Sequence, residues 1–262
     1  MTASNAPAVD KSQDRIRPMF AAIATKYDRM NHLLSCQVDR FWRWWTVRKV
    51  APTGEAPILD VCTGTGDLAL AYWRAAKGNV PIIATDFCPE MLDVGRSKQK
   101  AAGIHRNLEF READTTCLPF EDDRFQLVTV AFGLRNVVNT SRGLEEMARV
   151  CLPGGRVAIL EFSTPQRQPL RSMYLWYFRN VLPRLGQLLA ANSHSAYMYL
   201  PDSVQQFPQG EEMAAKMRAV GLVEVEWHPL TFGVATLYVG TKPPTDAAVP
   251  NPAALVTGVD AR

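Results

Sequence analysis

The chain has 262 residues, 47% hydrophobic and 21% charged, with a formal net charge of +3. This is ample for one large domain with its own core, and it excludes a disordered chain. The near balance of charge gives no indication of nucleic acid as a partner. Five scattered cysteines (Cys36, Cys62, Cys88, Cys117, Cys151) contain no C-x-x-C pair, and four histidines show no metal-ligand spacing. Neither a disulfide framework nor a metal site is expected, and a reducing compartment fits. The N-terminus lacks a signal-peptide core, and no apolar run is long enough to span a bilayer, so a cytoplasmic protein is expected.

Residues 1–13 are small and polar and read as a flexible tail; 14–242 read as one domain; 243–262, rich in Pro and Ala, read as a second tail. Residues 14–50 are expected to form a helical cap. Within it "FWRWWTVRKV", 41–50, mixes aromatics and bases at helical spacing. Core packing beneath a basic solvated face is the plain expectation, and a membrane-surface role the sharper one. Short apolar runs then recur: "APILDVC", "VPIIATD", "NLEFREAD", "FQLVTVAF" and "GRVAILEF". Helical patterns separate most of them: "GDLALAYWRAA", "PEMLDVGRSKQKAA" and "SRGLEEMARVC". Pro89 followed by Glu90 is a proper helix start. The alternation predicts a parallel sheet with helices on both faces. Residues 163–209 form an insertion, followed by the helix "GEEMAAKMRAV" with Gly221 as its stop. "LVEVEWH" and "GVATLYVG" are joined too closely to be parallel. The expected fold is therefore α/β: a doubly wound, mostly parallel seven-stranded sheet ending in an antiparallel hairpin.

The first strand runs into "DVCTGTGDLA", where Gly64, Gly66 and Ala69 fit the dinucleotide pattern G-x-G-x-x-G/A. Asp86 ends the second strand 22 positions after Gly64, where an acidic residue would hold ribose hydroxyls. The pattern points to adenosine more than to one cofactor. A pyrophosphate would be repelled by Asp60 in the strand and by Asp67 at the helix start. S-adenosylmethionine has no phosphate and carries an ammonium and a sulfonium, which carboxylates attract. Asp114, ending the third strand, could accept from the adenine amino group. Strand-end turns and helix caps are the plain alternatives for Asp86 and Asp114.

Further motifs carry a resemblance. "YDRMNHLLSCQVDRFW" at 27–42, "LPF" at 118–120, "FGLRNV" at 132–137 and "RVCLPGGRVAILEFS" at 149–163 resemble the class I methyltransferases of menaquinone and ubiquinone synthesis. The resemblance spans roughly residues 19–243, and the stretch after 170 looks closest to the menaquinone branch. It implies C-methylation of demethylmenaquinol by S-adenosylmethionine, or alternatively of a 2-methoxy-6-polyprenyl-1,4-benzoquinol. It also implies Thr65, Asp86, Asp114 and Thr115 as cofactor contacts, beside Asp60, Gly64 and Gly66 of the turn. Two positions depart from the pattern: Asp39 replaces the usual His, and Leu152 the usual Lys.

Methylating a ring carbon needs the phenolic proton gone and the reactants held in line. The candidates for the oxygen or its proton are Arg135, Tyr27, Asp28 and Asn136. A guanidinium is a poor base, so Arg135 is expected to steady a phenolate or a water, with a salt bridge as its plain alternative. The apolar stretch 170–190, with Met173, Leu175, Trp176, Tyr177, Phe178, Val181 and Leu182, is expected to line the quinol site. Arg171, Arg179 and Arg184 would lie at headgroup level in a transient peripheral membrane contact, and Pro183 would break the helix. A cap packed on the sheet is the alternative. Rival readings are an NAD-dependent oxidoreductase, a nucleic-acid methyltransferase, against which "FGLRNV" lacks N/D-P-P-Y, and a non-catalytic lipid carrier. Nothing in the sequence specifies the oligomeric state.

Overall fold

The computed structural model describes residues 10–181 and 194–244. Most of both expected tails, and Leu182, Pro183 and Arg184 of the expected membrane stretch, lie outside the described residues, as does the side chain of Arg179. Seven strands form one sheet: β1 (Ile58–Asp60), β2 (Ile82–Asp86), β3 (Leu108–Glu112), β4 (Phe125–Ala131), β5 (Cys151–Phe162), β6 (Val223–Leu230) and β7 (Ala235–Thr241). Their spatial order is β3-β2-β1-β4-β5-β7-β6. Every neighbouring pair from β3 to β5 is parallel, and β7 runs antiparallel to both β5 and β6. The expected architecture is thus observed. Every residue of β1 and β2 is buried, which explains why these strands read as unbroken apolar runs.

The helices are α1 (Gln13–Leu34), α2 (Val38–Lys49), α3 (Asp67–Ala75), α4 (Pro89–Ala101), α5 (Thr140–Val150), α6 (Leu170–Trp176), α7 (His194–Gln206) and α8 (Glu211–Ala219). The start signals are physical. Asp67 and Glu90 place negative charge at the positive ends of α3 and α4, and the Asn139 side chain accepts from the Arg142 amide to cap α5. One face of the sheet buries Trp42, Leu68, Tyr72 and Leu92. The other buries Leu144, Met147, Met213 and Met217.

Two parts of the expected layout gain detail. Helix α2 contributes Trp42 and Val47 to the main core, while α1 packs Ala24 against Cys88 and Met91 beside the strand ends. In the insertion, α6 continues into a wider π-helical turn at Tyr177–Val181. There Phe178 is buried against Val204 and Tyr174, so it faces inward and cannot contact lipid, whereas Met173 and Trp176 are 62% and 61% exposed. One side of a short helix must cover the cavity below it, and Phe178 falls on that side.

Candidate functional site

The sheet order reverses direction between β1 and β4, and the crevice beyond their carboxyl ends is where a doubly wound sheet binds ligands. Here that crevice holds a cavity lined by Asp60, Gly64, Thr65, Asp86, Asp114, Thr115 and Asn136. Most of the expected cofactor residues therefore converge. Gly64 has φ +57° and faces open space, as a turn passing close to a ligand requires. Gly66 does not reach the cavity. A Cβ there would stand 2.6 Å from the Phe110 ring, so glycine is what lets the turn pack against β3.

The carboxylates are not equivalent. Asp60 is 1% exposed; its Oδ2 accepts from the Thr63 hydroxyl at 2.5 Å, and its Oδ1 has no partner among the described residues. Burial pushes its carboxyl up to about 7, against the pull of the Thr63 hydrogen bond and of Arg43. The Ala69 backbone also lowers it, and a carboxylate lining this crevice suits a ligand cation. Asp86 accepts from the amides of Gly64 at 2.8 Å and Cys88 at 3.0 Å, one on each oxygen. Burial raises it to about 6 despite those amides, and each oxygen keeps a lone pair for a hydroxyl. Asp114 accepts from Gln13 Nε2 at 2.6 Å and from the Thr116 amide and hydroxyl at 2.8 Å. These residues fit S-adenosylmethionine: the Asp60 carboxylate for its ammonium and a strand-end acid for its ribose, while of the two cations in the lining, Lys11 and Arg43, the second is paired with Asp39 and Asp67.

Asp67 corrects the expectation from the glycine turn. It lines the cavity, but its charge is already met by Arg43 at 3.9 Å and by Lys98. Burial opposes ionisation, yet these two cations outweigh it and hold the carboxyl below its usual range. Asp28 is displaced likewise. It lines neither cavity described here and is bound instead to Lys98 at 2.8 Å and to the Thr65 hydroxyl. Together Asp28, Lys98, Asp67 and Thr65 pin α1 onto the glycine turn. Thr65 has thus spent its hydroxyl on that latch while still lining the cavity.

A second cavity, of about 270 Å³, adjoins the first. Phe20, Tyr27, Arg43 and Phe132 line both and form the wall between them. The second cavity is largely aromatic, with Tyr174, Tyr177, Phe178, Tyr199 and Phe162 in its lining, together with Arg135. Tyr27 carries a phenol whose ionisation burial suppresses, opposed by the Arg135 charge. Arg135 is 5% exposed; Nη1 donates to Glu161 Oε1 at 2.7 Å and to the Phe132 carbonyl, while Nε has no partner among the described residues. Arg135 therefore makes the salt bridge of the plain alternative, to a buried rather than a surface carboxylate, and also lines the second cavity. Asn136 sits at the first cavity with its Oδ1 unpaired among the described residues.

Asp39 is buried beside this cavity, bound to His32 Nδ1 at 2.8 Å, Ser35 at 2.6 Å and Arg43 at 2.5 Å. Burial opposes its charge, but Ser35 and Arg43 hold its carboxyl below the usual range. The acid in place of the usual His is thus a tether for Arg43. Leu152 lies near the start of β5 and lines neither cavity. Sequence reasoning missed Lys11 and Gln13, taken as tail, which line the first cavity, and Tyr199, which lines the second. No motif flags them, because they arrive from distant segments.

Solved structures with this fold include a SAM-dependent methyltransferase of Thermotoga maritima, 17% identical with a TM-score of 0.58, covering 86% of this chain and 99% of that one. A SAM-dependent methyltransferase of Aquifex aeolicus, 16% identical with a TM-score of 0.54, covers 76% and 88%. Among sequence relatives, the ubiquinone/menaquinone biosynthesis C-methyltransferase of Geobacter sp. (strain M21) is 43% identical over 235 residues, 90% of this chain and 99% of its own. The demethylmenaquinone methyltransferase of Deinococcus radiodurans is 43% identical over 245 residues, 92% and 100% respectively. The model of the ubiE/COQ5 methyltransferase family matches residues 8–242, and this chain belongs to that family.

Proposed function

We propose that this protein transfers the methyl group of S-adenosylmethionine to a ring carbon of demethylmenaquinol, yielding menaquinol. The carrying observation is the shared wall: a polar cofactor cavity and an aromatic cavity meet at Phe20, Tyr27, Arg43 and Phe132. The names of the Geobacter and Deinococcus relatives supply the substrate class. A 2-methoxy-6-polyprenyl-1,4-benzoquinol is the alternative acceptor, favoured by the ubiquinone in the Geobacter name.

When bound, the cofactor supplies an electrophilic methyl on a cationic sulfur. The chain's residues do the rest. Asp60 holds the ammonium and Asp86 the ribose; Asp114 and Thr115 border the adenine end, with Gln13 sharing the Asp114 carboxylate. Arg135 and Tyr27 face the ring oxygen, where the guanidinium steadies developing phenolate charge that activates the neighbouring carbon. Asn136, next to Arg135 in the chain, borders the cofactor cavity. The aromatic lining excludes water, so charge neutralisation in transfer is favoured over a solvated ground state. Alignment across the shared wall contributes on the order of 7–11 kcal/mol.

The prenyl tail implies a lipid source. Among the described residues, no helix is long and apolar enough to cross a membrane. Exposed apolar side chains instead flank the second cavity: Leu33 (58%), Met173, Trp176 and Phe232 (80%) each neighbour in sequence a lining residue, Leu34, Tyr174, Tyr177 and Thr231. Phe232 is held at φ 58°, a strained conformation that thrusts the ring outward at the β6–β7 tip. Arg40, Arg48 and Arg171 are exposed on the adjoining helices and suit anionic headgroups. This rim is the surface for transient bilayer contact.

Labelled methyl transfer, assayed side by side on demethylmenaquinol and the methoxy-benzoquinol, tests the reading. Label in the naphthoquinol alone, or in both, supports it; label in neither overturns it.

A further inference from the structure

Arg43, on helix α2, stands in the wall that the two cavities share. Its three nitrogens are not equivalent. Nη1 is spent on Asp39, donating to Oδ2 at 2.5 Å and to the backbone carbonyl at 3.3 Å. Nε is sealed off without a partner among the described residues. Nη2 stands 3.9 Å from Asp67 Oδ2, close enough for attraction but too far for a hydrogen bond. The Asp67 side is open as well. Lys98 donates to Oδ1, whereas Oδ2 has only His32 Nε2 at 3.8 Å and Arg43 Nη2 near it. Unlike Nε, Nη2 and Oδ2 are open to water, and both residues line the cofactor cavity. Arg43 and Asp67 are thus an ion pair that stops short of closing, with a donor and an acceptor left over. A ligand that carries both signs would complete it.

We propose that Arg43 binds the carboxylate of S-adenosylmethionine, and that the methionine head inserts into the open Arg43–Asp67 pair with its ammonium turned to Asp67 Oδ2 and Asp60. The inference rests on the cofactor reading above and deepens it. Carboxylate and ammonium hang on one carbon, so they need a cation and an anion side by side. Arg43, Asp60 and Asp67 supply them in one cavity. Lys98 is already taken by Asp28 and Asp67. Lys11, the other cation in the lining, comes from the segment whose Gln13 holds Asp114 at the adenine end. By consuming Nη1, Asp39 leaves Nη2 as the donor for the ligand. The placement also suits the reaction. The sulfur lies two methylenes from the α-carbon, so a carboxylate held in the shared wall keeps the methyl group beside that wall. The Arg43 guanidinium lies 5.4 Å from the centroid of the Phe132 ring, which is part of the same wall.

Three ligands separate the groups in a calorimetric test. S-adenosylhomocysteine carries carboxylate and ammonium, its decarboxylated analogue keeps only the amine, and 5′-methylthioadenosine lacks both. Arg43→Met should weaken S-adenosylhomocysteine by about tenfold to a hundredfold, the scale of a hydrogen bond between charged groups. It should bind the other two no more weakly than the parent does, and the amine more tightly, because the ammonium no longer meets an unanswered cation. Arg43→Met also strips a partner from buried Asp39, so Arg43→Met with Asp39→Asn is measured beside it, with thermal melts. The same ranking of ligands is expected. Asp67→Asn should weaken both amine-bearing ligands and spare 5′-methylthioadenosine. Equal losses on all three ligands at Arg43 would mean that it only holds the structure, and would overturn the proposal. So would a parental affinity for S-adenosylhomocysteine in Arg43→Met, or for the amine in Asp67→Asn. If the parent protein binds none of the three, the cofactor reading itself fails, and that outcome is distinct.

Discussion

Arg135 and Glu161 form a buried ion pair, with Nη1 2.7 Å from Oε1 and side-chain exposures of 6% and 1%. Glu161 lies in β5 and Arg135 in the short helical turn after β4, so adjacent parallel strands deliver the two groups to one point. Glu161 also accepts from the Arg135 amide at 3.2 Å, holding the turn as well as the guanidinium.

Replacing Arg135 with Ala would leave a buried carboxylate unpaired, which costs about 3–5 kcal/mol. Stability and activity are thereby confounded in that variant. The pair Arg135→Met with Glu161→Gln removes both charges at similar volume and should restore most of the melting temperature. Its methyl-transfer rate should nonetheless stay low while cofactor affinity is near that of the parent. Recovery of rate along with stability would make Arg135 purely structural.

Asp86→Ala should weaken S-adenosylmethionine binding by about 1.5–3 kcal/mol, the scale for hydrogen bonds to a charged acceptor. The Gly64 and Cys88 amides would also lose their acceptor, so the turn itself should loosen. Titration calorimetry on the folded variant measures this, and an unchanged dissociation constant removes Asp86 from the site.

Asp60, at about 7, and Asp86, at about 6, give cofactor binding a pH dependence. Both values are raised above the unfolded carboxylate. Their stability contribution is therefore greatest at low pH and is lost as pH rises through the folded values. Binding runs the other way, because holding an ammonium needs Asp60 ionised. Affinity should climb between pH 5.5 and 7.5. Asp60→Asn should lower affinity and flatten the upper part of that climb, leaving the part near 6. A variant with the parental slope throughout would remove Asp60 from the ammonium site.

Phe232→Ser combined with Trp176→Ser should reduce binding to anionic liposomes and turnover of long-tailed quinol, while sparing a tail-less analogue. Both side chains are mostly exposed, so the melting temperature should shift little. The corresponding change at Phe178 would instead unfold part of the insertion, since that ring is buried. Undiminished liposome binding by the double variant would show that this rim does not meet the bilayer.

Much of the fold is written locally. Apolar runs the length of a strand, alternating with helices that open on Asp67, Glu90 and Asn139, specify a parallel sheet because each signal acts within a few residues. Gly64 and Asp86 are legible for the same reason, since the turn and the strand end place them together whatever else the chain does. The short β6–β7 connection forces the reversal of β7. Several outcomes depend on what distant segments bring. Asp67 reads as a free acid in sequence, yet Arg43 from α2 and Lys98 from α4 neutralise it. Asp28 reads as a reactive acid, yet α1 lays it on Lys98 and Thr65. Phe178 reads as one more surface apolar residue, yet the turn of its helix buries it. Lys11, Gln13 and Tyr199 have no local signature at all. Charge pairing and burial are properties of neighbours in space, and only the packed tertiary structure chooses those neighbours.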